Sequence, residues 1–363
     1  MPLGGDPTAF EVKGGSDIDV PKNRVTPYGL REMPSLVERA SHHNPPEMKK
    51  RALLLLEQKL RSTIDLASAL SAGLIDALVK HFSDRTMVLY AVRCLAQVAY
   101  TDMGSRALAE TGGENMLENL LRLFSDRSQF RSKLRASLLD LFVRLSANSK
   151  RAPLQMVNAG YVDELLEEVR QSGDVKEHRW KALETLHQCC REEAGSMQAI
   201  AGRCVPLCIS QIKEHQDFAT IKAASLTLAA NTYGDKGKRQ GLAFQIVDAI
   251  CPILIQRADG DAATVASLCS ALANVAVLNE AKRQVLAHDD AVASILRLLD
   301  NNSDQVQLCA LKLVTLLVDH PDIRGAANCD TVLERLDELI KTSDRRIISK
   351  LATTARKRVL WKP

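Results

Sequence analysis

"DAVASILRLLDNNSDQVQLCALKLVTLLVDH", residues 290–320, holds two apolar blocks divided by a short polar break. The first block spaces its Ile and Leu residues three and four apart, the pattern of a helix with one buried face. The second is apolar on nearly every side: Val306, Leu308, Leu311, Leu313, Val314, Leu316 and Leu317. A helix of that kind belongs between neighbours, not on a surface. The break between them, Asn301 to Asp304, offers side-chain oxygens that can take the unpaired backbone N–H groups at the start of the second helix.

The same grammar recurs. "NMLENLLRLFSD" (115–126) ends in a polar pair as "DAVASILRLLDNNSD" does, and shorter amphipathic pieces such as "GSRALAETGG" (104–113) and "EAKRQVLAHD" (280–289) lie between the longer blocks. The polar pairs fall at Ser83-Asp84, Ser125-Asp126, Gly173-Asp174, Gln216-Asp217, Gly260-Asp261, Ser303-Asp304 and Ser343-Asp344, with the aspartates 42, 48, 43, 44, 43 and 40 residues apart. Armadillo and HEAT units repeat every ~40–47 residues. The expected fold is therefore all-α, an armadillo/HEAT-type solenoid of about seven repeats, in which stacking buries the apolar faces that one unit could not hide alone. Ala72-Gly73, Gly112-Gly113 and Ala159-Gly160 are expected to stop one helix and start the next in the left-handed conformation.

Composition agrees. The chain is 46% hydrophobic but only 4% aromatic, so its core must come from Leu, Ala and Val, as helical cores do. No run of eighteen apolar residues predicts a membrane span. "MPLGGDPTAFEVKGGSD" lacks the basic start and apolar block of a secretory signal, and Pro2 excludes N-myristoylation. A soluble, intracellular protein is expected. The nine cysteines sit mostly in apolar helical segments, such as Cys94 and Cys269, and read as small buried hydrophobes. Cys189-Cys190 and "CVPLC" (204–208) lack a second ligand pair at zinc spacing, so no metal is expected.

The edges divide the chain further. Residues 1–24, rich in Gly, Pro and Asp, predict a flexible tail, and residues 25–46 a capping segment in which Pro27 and Pro34 limit helix while Leu30, Met33, Leu36 and Val37 dock on the first repeat. His42 and His43 read as a solvent-facing loop pair. The solenoid follows over 47–344. Residues 345–363 hold seven positive charges and no acid, whereas the whole chain is +4. The preferred reading is a solvated capping helix; the sharper one is a helix that meets an acidic protein tail or a phosphate backbone through Arg356, Lys357 and Arg358, with Trp361 docking beside them.

Asn274, in "ALANVAVLNEAKRQVL" (271–286), is the one amide in an apolar run. Peptide-carrying armadillo proteins, such as the nuclear import adaptors, place an Asn at this point of the third helix in successive repeats, with Trp four positions upstream. Aligned on the shared "KRQ" that includes Arg283, Asn274 faces Ala230, and the other units offer Gln97 and Arg144; the two tryptophans, Trp180 and Trp361, lie elsewhere. One Asn does not make a ladder, so a local hydrogen bond is preferred to a peptide clamp. Enzyme chemistry is not expected either: there is no Gly-rich phosphate loop, GxSxG or HExxH, and His288 with Asp289 and Asp290, the nearest acid–base cluster, lies in a short turn where capping explains it. No cofactor or small-molecule substrate is expected, and few aromatics accompany the C-terminal charges, which argues against nucleic acid.

From Arg24 to about residue 344 the chain resembles the armadillo-repeat radial spoke head 14 homologue family of motile cilia. The resemblance is carried by "RVTPYGLREMPSLVERASHHNPPEMKKRALLLLEQKL" (24–60), with Tyr28-Gly29, Arg31, Pro34, Leu36 and Lys50-Arg51-Ala52-Leu53 in the family's order. It implies a non-catalytic structural subunit of the axonemal radial spoke, in the cytoplasm and the axoneme of cilia or flagella. Its implied partners are other spoke subunits, with the doublet microtubule surface or acidic protein tails as further ones. Tyr28, Arg31, Asn274, Arg283, Arg356, Lys357, Arg358 and Trp361 are the candidate contact residues. The competing reading is a soluble armadillo adaptor that binds peptides or acidic tails in its groove.

Overall fold

The computed structural model describes residues 31–361 apart from 42, 128–131, 174, 216, 257–259 and 344; the expected tail over 1–24, Pro27, Tyr28, Leu30, His42, Asp174, Gln216 and Asp344 lie outside the described residues. Helices α1 (Glu32–Ala40) and α2 (Pro46–Lys59) form the N-terminal unit. Seven three-helix repeats follow. The first is α3 (Thr63–Ser71), α4 (Leu74–Val79) and α5 (Val88–Val98); the second is α6 (Asp102–Ala107), α7 (Gly113–Ser125) and α8 (Ser132–Asn148). Then come α9 (Ala152–Asn158), α10 (Tyr161–Gln171) and α11 (Lys176–Cys190), followed by α12 (Glu193–Ala201), α13 (Cys204–Glu214) and α14 (Phe218–Asn231). The fifth is α15 (Asp235–Ala243), α16 (Ile246–Gln256) and α17 (Ala262–Val275). The last two are α18 (Asn279–Leu286), α19 (Ala291–Arg297) and α20 (Asp304–Leu317), then α21 (Pro321–Ala327), α22 (Asp330–Thr342) and α23 (Arg346–Val359). No strand occurs among the described residues.

One continuous core runs from Met33 to Val359, and its spine is the row of third helices, each packed on the next: α2, α5, α8, α11, α14, α17, α20 and α23. Leu311, Leu313 and Val314 of α20 are fully buried between α17 and α23, as an all-round apolar helix requires. Eight of the nine cysteines are buried and Cys329 is exposed. Pro34 falls inside the first turn of α1, where its missing N–H leaves no partner unsatisfied, so it starts that helix rather than limiting it. Met33, Leu36 and Val37 dock as expected.

The polar pairs cap where they can. Asp217 and Asp261 accept the backbone N–H of Thr220 and Thr264 at 2.8 and 2.9 Å, and Asp84 accepts from Thr86 and Met87 ahead of α5. Ser303 makes no side-chain cap. Gly73 and Gly160 are left-handed, at φ +79° and +88°. Gly112 is not. It has φ −70°, because Leu108–Gly112 forms a π-helical turn that feeds α7 without a break. In the fourth, fifth and sixth repeats the left-handed joint is taken by Arg203, Gln245 and Asp290, at φ 61–62°. Gly195 and Gly237 serve a different need. A Cβ there would fall inside the van der Waals radius of the Cys189 and Asn231 carbonyl oxygens, so glycine lets α12 and α15 cross the end of the preceding third helix at close range.

Candidate functional site: the third-helix groove

The exposed side of the third-helix row changes character along the chain. In the N-terminal half, side chains of successive helices close on one another. Glu57 of α2 pairs with Arg93 of α5 at 2.7 Å, and Asp140 of α8 with Lys181 of α11 at 2.5 Å. Arg144 of α8 lies over the Tyr100 ring and donates to the Ala96 carbonyl at 2.9 Å.

Asn274 has the same office further along. Its Nδ2 donates to the Ala229 carbonyl of α14 at 2.8 Å. Arg358 of α23 donates to the Thr315 carbonyl of α20 at 2.9 Å. These three bonds span 48, 45 and 43 residues, one repeat each. The carbonyls they reach belong to the last turn of the previous third helix, where no intrahelical N–H remains to bond them. The amide in the apolar run is thus a stitch between repeats, the local hydrogen bond preferred from the sequence. At the same register α14 carries Ala230 and α20 carries Leu316, which cannot bridge.

There the surface opens. A groove of about 970 Å³ crosses α11, α14, α17 and α20. Its floor is made of small or apolar groups, among them Cys190, Leu226, Ala230, Ser267, Ser270 and Cys309. Met197 and Tyr233 stand at its edge, 65% and 82% exposed. Burial pushes the His187 imidazole below its ordinary pKa, so it lines this floor as a neutral ring at neutral pH. A second groove of about 550 Å³ shares Tyr233 and continues over Ala273, Asn274, Val277, Lys312, Leu316 and Leu351. Large exposed apolar side chains beside an apolar cleft mark a contact surface.

The remaining candidate residues do not converge on this groove. Arg31 is exposed at the N-terminal end, and Arg283 is exposed on α18. The basic C-terminal segment forms α23, the last third helix, and its arginines are partly neutralised: Arg356 pairs with Asp337 at 2.6 Å, Arg358 with Asp319 at 3.2 Å and Arg345 with Asp304 at 2.7 Å. Lys357 is exposed. Trp361 docks on its own chain, with the Arg324 guanidinium 4.7 Å from its ring centre. His288 binds Asp248 of the previous repeat at 2.7 Å, and Asp290 supplies a left-handed joint, not a side-chain cap, so repeat geometry explains that cluster. Among the described residues no group of three or more His, Cys, Asp or Glu could hold a metal ion, and no helix is long and apolar enough to cross a membrane.

Apart from Asn274, which lines the second groove, the groove-edge residues were not singled out by the sequence reading, although the register held a signal. Tyr100, Tyr233, Val277 and Trp361 all follow the end of a third helix, and each is more than half exposed. Carrying the repeat spacing from Val277 back to Tyr233 marks the edge of the groove.

No family model matches the chain, and no curated protein matches it by sequence. Solved structures do match. An engineered protein aligns with a TM-score of 0.70 at 20% identity, covering 91% of this chain and 84% of its own. A second engineered protein aligns at 0.58 and 20% identity, covering 68% of this chain and 99% of its own. A chain from a structure concerned with a phosphorylation switch in the interaction between cadherin and beta-catenin aligns at 0.75 and 15% identity, covering 91% of this chain and 69% of that one. The fold is an armadillo-type solenoid. At such identities the likeness concerns the fold alone.

Proposed function

We propose that the chain is a non-catalytic scaffold that holds protein partners along its third-helix row, and that it serves as a structural subunit of the axonemal radial spoke. The scaffold reading is carried by one observation: a groove of about 970 Å³, floored by small side chains from four successive third helices and edged by exposed Met197 and Tyr233. A cleft built from four repeats suits a polypeptide segment better than a compact metabolite, and a repeat rod leaves wide faces for several partners. The interaction named for the cadherin and beta-catenin structure is one between proteins, which supports a protein partner here.

The spoke setting is supported by the N-terminal segment from Arg24 to Leu60 and its likeness to the radial spoke head 14 homologue family. Other spoke subunits are then the first partners, with the microtubule surface or acidic tails as further ones, and the place is the axoneme of motile cilia. A tagged copy is expected to stay with axonemes after detergent and moderate salt. Recovery mainly in the soluble fraction would contradict the spoke setting and favour the soluble adaptor, for which the open groove is the supporting observation.

A further inference from the structure

We infer that the occupant of the two adjoining grooves is a peptide segment that carries bulky apolar side chains and, a fixed distance from them, an Asp or Glu whose carboxylate meets Lys312. This rests on the scaffold reading and adds the chemistry of the partner. The larger compartment is apolar at its floor, and its charged lining is balanced: Arg191 and Lys236 against Glu193 and Asp235. Small floor residues such as Ala230, Ser267 and Ser270 leave depth for side chains the size of Leu, Met or Phe, whose burial there removes apolar surface from water on both sides.

The smaller compartment differs in sign. Its charged lining consists of Lys238 and Lys312, with no acidic residue. Lys238 is already held by Asp235 at 3.2 Å. Lys312 is exposed and has no ion-pair partner among the described residues. Lys312 thus lines the same compartment as the apolar Val277, Leu316 and Leu351, with no acidic lining residue to match its charge. A lysine beside low-dielectric surface attracts a carboxylate more strongly than one in open water. Tyr233 lines both compartments, so a single segment passing it reaches both the small-residue floor and the lysine. A basic segment would meet Lys312 with a like charge, and a purely apolar one would leave it buried without a partner.

The test selects binders from a random-peptide library on the immobilised full chain and measures their affinities by fluorescence anisotropy. The expected peptides carry an acidic residue at a fixed distance from one or two of Leu, Met or Phe. Lys312→Glu should weaken them about tenfold and shift a fresh selection toward Lys or Arg at that position. Lys80→Glu, an exposed change near the N-terminal end, should leave affinity unchanged. Ala230→Trp, which fills the floor, should abolish binding while circular dichroism confirms an intact fold. Peptides that lose binding in Ala230→Trp yet show no acidic preference, or respond equally to Lys312→Glu and Lys80→Glu, overturn the carboxylate inference and leave the scaffold groove standing. Failure to select any peptide that Ala230→Trp displaces overturns the groove reading and the inference with it.

Discussion

The two halves of the third-helix row are built on one repeat and end as different surfaces. From α2 to α11, charged side chains of adjacent repeats lock onto each other: Glu57 on Arg93, Asp140 on Lys181, Arg144 on the Ala96 carbonyl and the Tyr100 ring. From α11 to α20 the matching positions hold Ala230, Ser270, Leu316 and Lys312, which has no ion-pair partner among the described residues, with Asn274 as a bridge from α17 to α14, and the surface opens into two connected grooves. The backbone geometry is shared, so the difference lies in side-chain length and polarity at a few register positions. One repeat can thus leave part of the third-helix row open while side chains close the rest.

The largest effect is expected from Leu313→Asp. This residue is fully buried in α20, beneath the open half. An unpaired buried carboxylate there should cost about 4 kcal/mol and melt the C-terminal repeats before the N-terminal ones. Limited proteolysis across a urea titration would separate the two. A single cooperative loss of both halves would break the comparison at the level of stability. Gly237→Ala comes next. Its Cβ would collide with the Asn231 carbonyl oxygen, and forcing the two helices apart should cost about 2–3 kcal/mol. The exposed control Gly325→Ala, where nothing stands in the way of a Cβ, should cost far less.

A smaller change sharpens the distinction between stitch and clamp. Asn274→Ala removes the bond to the Ala229 carbonyl and should lower stability by about 1 kcal/mol. Arg144→Ala should do the same in the other half and additionally free the Tyr100 ring face that the guanidinium covers, which an increase in fluorescence of an apolar dye would register. If Asn274→Ala left stability untouched and weakened peptide binding alone, its amide would be a clamp after all.

The smallest effect concerns pH. The Thr86 hydroxyl and backbone N–H, with Lys49 nearby, hold the Asp84 carboxylate down to about 2, against an opposing push from burial. A carboxylate with a depressed folded pKa contributes stability above its unfolded value and loses it as the folded pKa is approached. That share is therefore complete above pH 3.8 and fades toward pH 2. Thr86→Val should move the acid-unfolding midpoint upward, as followed by circular dichroism, and should do so through the first repeat.

Much of the fold was legible in the chain because spacing is a one-dimensional property. Six steps between aspartates and an apolar helix after each polar pair sufficed for the repeat count. Joints were only half legible. Gly73 and Gly160 announce a left-handed backbone, but Arg203, Gln245 and Asp290 adopt it without a glycine, and Gly112 carries the signal while the chain stays helical. The conformation there is imposed by the packing of the two flanking helices, which local residue preference does not encode. The groove was the least legible part. Ala230, Ser267 and Ser270 look like ordinary helix fillers, and only the register between α14, α17 and α20 brings them to one floor. The basic C-terminus was misleading in the opposite sense: its positive charges are adjacent in sequence, yet Arg345 is taken by Asp304 of α20, Arg356 by Asp337 of α22 and Arg358 by Asp319 just past α20.

Hydrogen–deuterium exchange on the full chain, with and without a saturating selected peptide, tests the division of the row most directly. Slowed exchange confined to α11–α20 and the Tyr233 corner, with α5 and α8 unchanged, is the expected result. Protection centred on α5 and α8, around Arg93 and Asp140, would show that the stitched half is the one that opens to partners, and would contradict it.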